Sequence, residues 1–264
     1  MSDVVALLQS HRSIRKFTDQ PIPQTVVEDL VRAGQGAATS SFIQACTVIQ
    51  VAQGDKRDQL AALGGNQGYV SEAPVFLVFC ADMHRHKLAC EQHKAPMQSG
   101  FTEQFLTASV DVSLFAQNVV VAAESLGMGI CYIGALRNNV EAVSDLLGLP
   151  DLVYPVFGLC LGYAAQNPEV KPRLPMSEVL KQEVYGDTQD TAVMADYDQT
   201  VRHYYETRTG GTKEMSWTEQ ISGMLQKLGL KTELLTIDKP LSSPVVYAEV
   251  MTPGATQTII FYAH

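Results

Sequence analysis

Positive charge is concentrated in one short segment near the start of the chain. The heptapeptide HRSIRKF, residues 11–17, holds two arginines, a lysine, a histidine and a serine. The whole chain carries a formal net charge of −9, so this cluster is a local exception. Guanidinium groups bind phosphate oxygens through paired hydrogen bonds, and serine and histidine supply further hydrogen-bonding atoms. The segment therefore predicts part of a pocket for an anionic ligand.

Two other stretches of sequence could complete such a pocket. Lys171-Pro172-Arg173 presents two cations on a turn that the proline stiffens, and residues 39–41 (TSS) supply three hydroxyl groups. Each stretch alone is typical of a solvated surface. Together, in an acidic protein, they favour a ligand that bears a phosphate.

The familiar nucleotide and hydrolase motifs are absent from the sequence. Neither GxGxxG, nor GxxxxGK[ST], nor GxSxG occurs. The glycine-rich stretches GGNQG (64–68) and GMGICYIG (127–134) lack the spacing that opens a dinucleotide-binding helix. A nucleotide, if bound, is held by other means.

A metal site is also not predicted. The stretch CADMHRHKLACEQH, residues 80–93, contains two cysteines and three histidines, but their spacing matches no paired zinc-ligand pattern. An arginine and a lysine lie among them, and their charges would repel a cation. We expect a polar loop after a core strand here, and no metal ligands in the chain.

Composition indicates an ordinary globular protein of one or two domains. The chain has 264 residues, of which 46% are hydrophobic and 18% charged, and its pI is about 5.1. This acidity argues against nucleic acid as a partner. The five cysteines are odd in number, form no CxxC and have mostly apolar neighbours. These features, and a start unlike a secretory signal, predict a cytoplasmic protein without disulfides.

The elements that must position these groups alternate between helix and strand. Apolar spacing predicts helices over 25–38, 54–65, 101–128, 138–148, 195–208 and 216–227, the last opened by a capping box at Ser216–Glu219. Strands are predicted at 48–53, 74–82, 129–136 and 156–163. The continuous apolar run 74–82 is typical of a strand covered on both faces.

The predicted helix over 101–128 is apolar almost all round. Glu103, Asp111 and Glu124 interrupt it, and its longest uncharged run, 112–123, is too short to cross a bilayer. We therefore expect a central helix buried on most sides, and no membrane partner.

At the level of whole motifs, the chain resembles the oxygen-insensitive NADPH nitroreductases and NADPH-flavin oxidoreductases, a family that uses FMN. The motifs that carry the resemblance are HRSIRKFTDQPIP (11–23), ATSSFIQ (38–44), GGNQGYV (64–70), VFCAD (78–82), AQNVVVAAESLGMGICYIGALRNN (116–139), FGLCLGYAAQNPEVKPRLP (157–175) and YYETR (204–208). It covers residues 1 to about 226. It implies an α+β fold, with a mixed sheet flanked by helices, in an intertwined homodimer built around the long central helix.

The resemblance also implies which residues bind the cofactors. It assigns the FMN phosphate and ribityl chain to the basic segment near the start of the chain. It assigns the flavin ring to Gln67, Tyr69 and residues 132–135, and Lys171 to Arg173 are implied to close the pocket. The implied FMN-binding residues are His11, Arg12, Ser13, Ile14, Arg15, Thr39, Gln67, Tyr69, Tyr132, Ile133, Gly134, Ala135, Lys171, Pro172 and Arg173. Arg208, with help from Arg137, is implied to bind the 2′-phosphate of NADPH. A mobile loop near 209–214 would suit a cofactor that leaves in each cycle.

The implied activity is a ping-pong transfer of two electrons. NADPH reduces FMN, and FMN then reduces a small-molecule acceptor such as a nitroaromatic, a quinone or free flavin. The flavin is the redox group, so no protein residue is expected to be catalytic. An alternative is a flavin-binding protein without catalysis, but the implied NADPH-binding Arg208 argues against it.

The tail of the chain departs from this family. Residues 227–264 contain three short strand-like runs, TELLTI, PVVYAEV and QTIIFYA, and resemble the start of a zinc dipeptidase or aminoacylase that stops at its first metal ligand, His264. We expect an FMN-binding domain over 1–226 and an atypical tail over 227–264, which is either a fusion or frameshift remnant or a divergent family tail without a role. A metallopeptidase is the third hypothesis, and it rests on the tail alone.

Overall fold

The computed structural model describes residues 2–185, 191–209, 213–227, 231–235 and 245–249. They form two compact units, Met1–Asn167 and Pro168–His264. The domain boundary that we expect near residue 227 lies inside the second unit and stays a prediction, since most of the tail lies outside the described residues.

The first unit contains a four-stranded sheet surrounded by helices. Its strands are β1 (Cys46–Gln50), β2 (Val75–Asp82), β3 (Met128–Ile133) and β4 (Val153–Tyr163), in the order β1-β2-β4-β3. Its helices are α1 (Asp3–Gln9), α2 (Gln24–Gln35), α3 (Asp55–Leu63), α4 (Gly68–Glu72), α5 (His84–Gln92), α6 (Thr102–Ser125) and α7 (Val140–Leu147). The strands pair antiparallel, and a parallel bridge joins Ser13 to Ile130 at the edge of the sheet.

Both faces of the sheet are covered, as the apolar run 74–82 predicts. All eight residues of β2 are buried. Leu77 and Phe79 face a core that includes residues of α2 and α6, whereas Phe76 and Val78 face a second core that includes residues of α3, α4 and α7. The alternation of side chains along a strand therefore sends one half of β2 into each core.

The long helix α6 is buried on one face and exposed on the other. Ala108, Val112 and Ala116 pack in the core. Leu106, Val110 and Leu114 recur every fourth residue on another face, and each is about half exposed in the single chain. The expectation of burial on most sides is wrong for one chain. By length and a mean hydropathy of 1.5, α6 could cross a membrane, a test that core helices of soluble proteins also pass.

A buried carboxylate on α6 holds the loop that precedes β1. Asp111, 1% exposed, accepts hydrogen bonds from the backbone N–H of Ser40 at 3.0 Å and of Ala45 at 3.4 Å. Between these two anchors the backbone adopts the left-handed conformation at Ser41, Phe42 and Gln44. This conformation is unfavourable for non-glycine residues, so the anchors are needed to maintain it.

Several predicted elements differ from the structure; the strand predicted at 48–53, for example, is Cys46–Gln50. The stretch after β2 is the helix α5, not a polar loop. The predicted strand 129–136 ends at Ile133, and a 3₁₀ turn, Gly134–Asn139, follows it. That turn orients the chain into α7, whose first turn is capped by the Asn139 side chain.

The second unit is organised by α9 (Thr191–Thr207) and α10 (Trp217–Lys227), with a short helix α8 (Met176–Val179) before them. The predicted capping box is confirmed: the Ser216 N–H donates to Glu219 Oε2 at 2.9 Å, and the Glu219 N–H donates to Ser216 Oγ at 3.2 Å.

Two of the three strand-like runs of the tail form strands. They are β5 (Lys231–Leu235) and β6 (Val245–Glu249), which pair antiparallel. The third run and His264 lie outside the described residues.

Replacing Asp111 should destabilise the fold. Asp111→Ala leaves two backbone donors without a partner and is expected to lower the free energy of unfolding by about 3 kcal/mol. Asp29→Ala, which removes a carboxylate from an exposed pair with Arg32, should cost about 0.5 kcal/mol or less. Urea unfolding at matched protein concentration measures both, and equal costs would contradict this role of Asp111.

Candidate active site

The basic segment 11–17 lies against the sheet near β3 and the end of β4. The Ile14 N–H donates to the Ile130 carbonyl at 2.8 Å, and the Thr18 N–H donates to the Tyr163 carbonyl at 2.8 Å. The Ala165 N–H donates in turn to the Lys16 carbonyl at 2.9 Å. The segment is therefore held at both ends, and its side chains project from a fixed backbone.

Two glycines make this close approach possible. A Cβ at Gly129 would lie 2.5 Å from Cγ1 of Ile14, and a Cβ at Gly162 would lie 2.8 Å from Cδ1 of Phe17. Real Cβ atoms do not approach other atoms so closely. Glycine at these strand positions thus lets the side chains of the segment pack directly on the backbone of the sheet.

The fixed segment brings predicted site residues together. The guanidinium carbon of Arg15 lies 5.9 Å from the centre of the Tyr69 ring, a cation–π contact. The Tyr69 hydroxyl donates to Gln67 Oε1. The Cys131 thiol, on β3, donates to the Tyr132 carbonyl at 3.6 Å.

Burial keeps the neighbouring acidic groups uncharged. It raises the pKa of the Tyr69 phenol and of the Cys131 thiol, and the nearby Arg15 only partly opposes this. At neutral pH neither group then neutralises Arg15. Its positive charge remains available to an anionic ligand.

His11 has a partner that the sequence analysis did not identify. Its Nδ1 lies 2.6 Å from Oε1 of Glu124, in the last turn of α6. Arg12 is exposed and donates weakly to the Ser10 carbonyl, at 3.4 Å. A signal for Glu124 exists in the sequence: it is an acidic residue at the C-terminal end of an apolar helix, where a negative charge is unfavourable.

The segment 132–135 follows the edge of the sheet into the 3₁₀ turn. Ile133 is buried, and the Tyr132 ring packs edge-on against Phe157, with centroids 5.0 Å apart. The Arg137 guanidinium covers Gly134 and donates to the Val156 carbonyl at 2.8 Å. Ala135 lies within the turn. The Arg137 side chain therefore already has a backbone hydrogen-bond partner in the first unit.

Thr39 lies on a different loop from segment 11–17. It immediately precedes the 3₁₀ turn Ser40–Phe42, whose start is anchored by Asp111. Within the described part of one chain, no hydrogen bond joins Thr39 to segment 11–17. The structure therefore does not bring these two predicted parts of the site together.

In the second unit, the predicted cations gather around tyrosines of α9. Lys171 Nζ lies 5.2 Å and the Arg208 guanidinium carbon 4.8 Å from the centre of the Tyr205 ring. The Tyr197 hydroxyl donates to the Pro172 carbonyl at 3.2 Å. Both tyrosines are nearly buried and pack in one cluster. Sequence analysis identified these cations, but it did not identify the tyrosine ring that both of them contact.

Glu169 is a carboxylate of the described residues that acts on Arg208. Glu169 accepts hydrogen bonds from the Thr209 N–H at 3.3 Å and from the Thr209 hydroxyl at 3.1 Å. Hydrogen bonds from its own backbone N–H and from Thr209, with a smaller contribution from the charge of Arg208, hold the pKa of Glu169 below its usual value. Arg173 is exposed and acts on Tyr197 through its charge. Residues 210–212 of the predicted mobile loop lie outside the described residues.

The chemistry of these groups fits a phosphorylated ligand. In the first unit, Arg12, Ser13 and Arg15 combine two guanidiniums and a hydroxyl on a fixed backbone, which is a donor set for phosphate oxygens. Among the residues that the structure describes, no group of three or more histidine, cysteine or acidic side chains is arranged to hold a metal ion. The arrangement can bind an anion and position it at the edge of the sheet.

Family profiles and related proteins indicate the same family for this chain. The sequence profile of the nitroreductase family matches residues 8–163, and the profile of its C-terminal domain matches residues 171–237. The chain is 40% identical to an FMN reductase (NADPH) of Bacillus subtilis, across 86% of this chain and 93% of that protein. It is 42% identical to an oxygen-insensitive NADPH nitroreductase of Salmonella typhimurium, across 86% and 92%.

Solved structures agree with the sequences. The NADPH:FMN oxidoreductase of Vibrio harveyi, solved with NAD⁺, superimposes with a TM-score of 0.78 at 40% identity, covering 85% of this chain and 92% of that one. The comparisons lend no support to the peptidase resemblance of the tail. The match in sequence and in structure extends over most of the chain, and the chain belongs to the nitroreductase family.

Proposed function

We propose that this protein is an FMN-dependent oxidoreductase that passes two electrons from NADPH to a small-molecule acceptor, such as a nitroaromatic, a quinone or free flavin. The names of relatives about 40% identical over most of the chain support NADPH and FMN as the cofactors. The structural observation that carries the proposal is the basic segment 11–17, fixed to the sheet with Arg15 beside Tyr69.

The residues of the first segment are assigned to the FMN phosphate and ribityl chain. Arg12 and Arg15 supply positive charge, Ser13 and His11 supply hydrogen bonds, and Ile14 anchors the backbone. FMN, when bound, supplies the two-electron chemistry that links NADPH to the acceptor.

The other proposed FMN-binding residues are assigned to the remaining parts of the cofactor. We assign Gln67, Tyr69 and residues 132–135 to the flavin ring, and Thr39 and residues 171–173 to further contacts with FMN. Gln67 and Tyr69 are held in register with Arg15 by the contacts described above. No protein side chain is assigned as a nucleophile or an acid-base catalyst.

Arg208 is assigned to the 2′-phosphate of NADPH. The Arg208 guanidinium lies over the face of the Tyr205 ring. This contact limits the motion of the Arg208 side chain and holds its charge in place. A guanidinium discriminates NADPH from NADH because only NADPH carries the extra dianion. Arg137 is a weaker candidate for the same ligand, because it already donates to the Val156 carbonyl.

A homodimer is part of the proposal. The outer face of α6 presents Leu106, Val110 and Leu114 to solvent in the single chain, with Phe101 and Phe105 beside them. Such a contiguous apolar surface marks an interface. We assign it to a second copy of the chain and not to a membrane, because the other face of the same helix packs on the sheet and contains the buried Asp111.

We further propose a cytoplasmic location and a domain boundary near residue 227. Burial raises the pKa of Cys46 and Cys80 to about 12, so these thiols are unreactive, as suits structural cysteines in a reducing compartment. The atypical tail, residues 227–264, is assigned no role in flavin chemistry.

A flavin-binding protein without catalysis is the alternative, and reduction of the bound flavin separates the two. In anaerobic stopped-flow experiments, NADPH should bleach the flavin much faster than NADH. Arg208→Ala should lower the second-order rate with NADPH about a hundredfold and leave the rate with NADH within about twofold, since only NADPH loses an ion pair.

The matched control for this experiment lies on α9, the helix that ends immediately before Arg208. Arg202 pairs with Glu219 at 2.7 Å, so Arg202→Ala removes an equal charge from α9 without touching the Tyr205 face. It should leave the preference for NADPH unchanged. An equal loss with both nucleotides in Arg208→Ala would contradict the assignment, and a flavin that NADPH fails to reduce in the unmodified protein would favour the alternative.

The outer face of α6 can be tested by adding charge. Leu114→Asp should shift the protein from dimer to monomer, because a carboxylate would be buried without a partner at the interface. Size-exclusion chromatography with light scattering measures the mass. Leu88→Asp, at a similarly exposed leucine on α5, is the control and should remain dimeric. An unmodified protein that is monomeric would refute the proposed interface.

A further inference from the structure

We infer that Glu124 is a positioning residue of the flavin-phosphate site, because its carboxylate holds the His11 ring with Nε2 directed to the phosphate. The inference deepens the proposed function and rests on it, since that proposal assigns His11 to FMN.

The geometry of the pair defines the state of the ring. His11 Nδ1 lies 2.6 Å from Oε1 of Glu124. A carboxylate can only accept, so Nδ1 carries the hydrogen and donates it. The other ring nitrogen, Nε2, is then the atom that can address a ligand.

Glu124 does not lie where a carboxylate would stabilise its helix. It lies in the last turn of α6, where the helix dipole disfavours negative charge. Its side chain is only 11% exposed, so the carboxylate has lost most of its hydration. Within the described part of the chain, the hydrogen-bond partner of this carboxylate is His11. Pairing with His11 accounts for a charge in an otherwise unfavourable place.

Both partners are attached to rigid parts of the first unit. Glu124 follows Ala123, which is fully buried where α6 packs on the sheet. His11 precedes Ser13 and Ile14, which are bonded to Ile130 on β3. The ring is therefore fixed from the helix side and from the strand side, and it remains 26% exposed to receive a ligand.

The charge of Glu124 matters as well as its hydrogen bond. A phosphate at Nε2 requires a donor there, and a histidine that donates from both nitrogens is an imidazolium. The Glu124 carboxylate, 2.6 Å from Nδ1, is the counter-charge to a ring that donates from both nitrogens. The charged groups adjoining His11 on its own segment, Arg12 and Arg15, are cations that the same phosphate would neutralise. The Glu124 charge also acts on the neighbouring Tyr132, where it adds to burial in raising the pKa of the phenol.

Comparison of FMN with riboflavin isolates this effect, because the two ligands differ only in the phosphate. Glu124→Gln keeps a hydrogen-bond acceptor near Nδ1 but removes the charge. Titration of the apoprotein, followed by flavin fluorescence, should show FMN binding about tenfold more weakly and riboflavin binding unchanged within about twofold. Glu103→Gln, at an exposed position of the same helix, is the matched control and should change neither.

A second variant tests whether Glu124 acts through His11. In a His11→Ala background, Glu124→Gln should cause no additional loss of FMN affinity. The inference fails if FMN binding is unchanged in Glu124→Gln, if FMN and riboflavin weaken equally, or if the two substitutions are additive. In each of these cases the proposed function still stands. An unmodified apoprotein that binds neither flavin would overturn both.

Discussion

The site depends on the attachment of one extended segment to the edge of a sheet. The Ile14 N–H bonds to the Ile130 carbonyl, and the side chain of Ile14 fills the space that a side chain at Gly129 would need. This contact fixes the backbone from which His11, Ser13 and Arg15 project. The cations are placed by backbone pairing and packing, which do not depend on a ligand. A preorganised anion site of this kind avoids the entropic cost of ordering the segment on binding.

Helix α6 connects the core with the functional surface. Its inner face completes one of the two cores, and Asp111 on the same helix fixes the strained loop that follows Thr39. Its C-terminal turn supplies Glu124 to His11. Its outer apolar face suits the proposed dimer contact. These different demands explain why the helix is apolar almost all round and yet contains acidic residues at a few positions.

Local patterns in the sequence predicted the elements well where the physical cause is local. The buried strand β2 follows from an unbroken apolar run, and the helix α10 from the reciprocal bonds of Ser216 and Glu219. The basic segment and the Lys171–Arg173 turn were recognised by charge alone. The helix α5 was missed because its residues are polar, with only a weak helical pattern, and packing decides its structure.

Contacts between residues distant in sequence could not be predicted in the same way. The pair of His11 and Glu124 joins positions 113 residues apart, and the support of Arg208 by Tyr205 depends on how α9 packs. Resemblance to the family assigned roles to single residues but gave no neighbours for them. Their partners, including the Val156 carbonyl for Arg137, emerge only when the chain is folded.

A crystal structure of the protein grown with FMN tests the central claim most directly. The account predicts that the phosphate lies within hydrogen-bonding distance of the Ser13 hydroxyl and the Arg15 guanidinium, with Ile14 still paired to Ile130. A flavin whose phosphate lies away from residues 11–15, or a segment that detaches from β3 to reach it, would contradict the account.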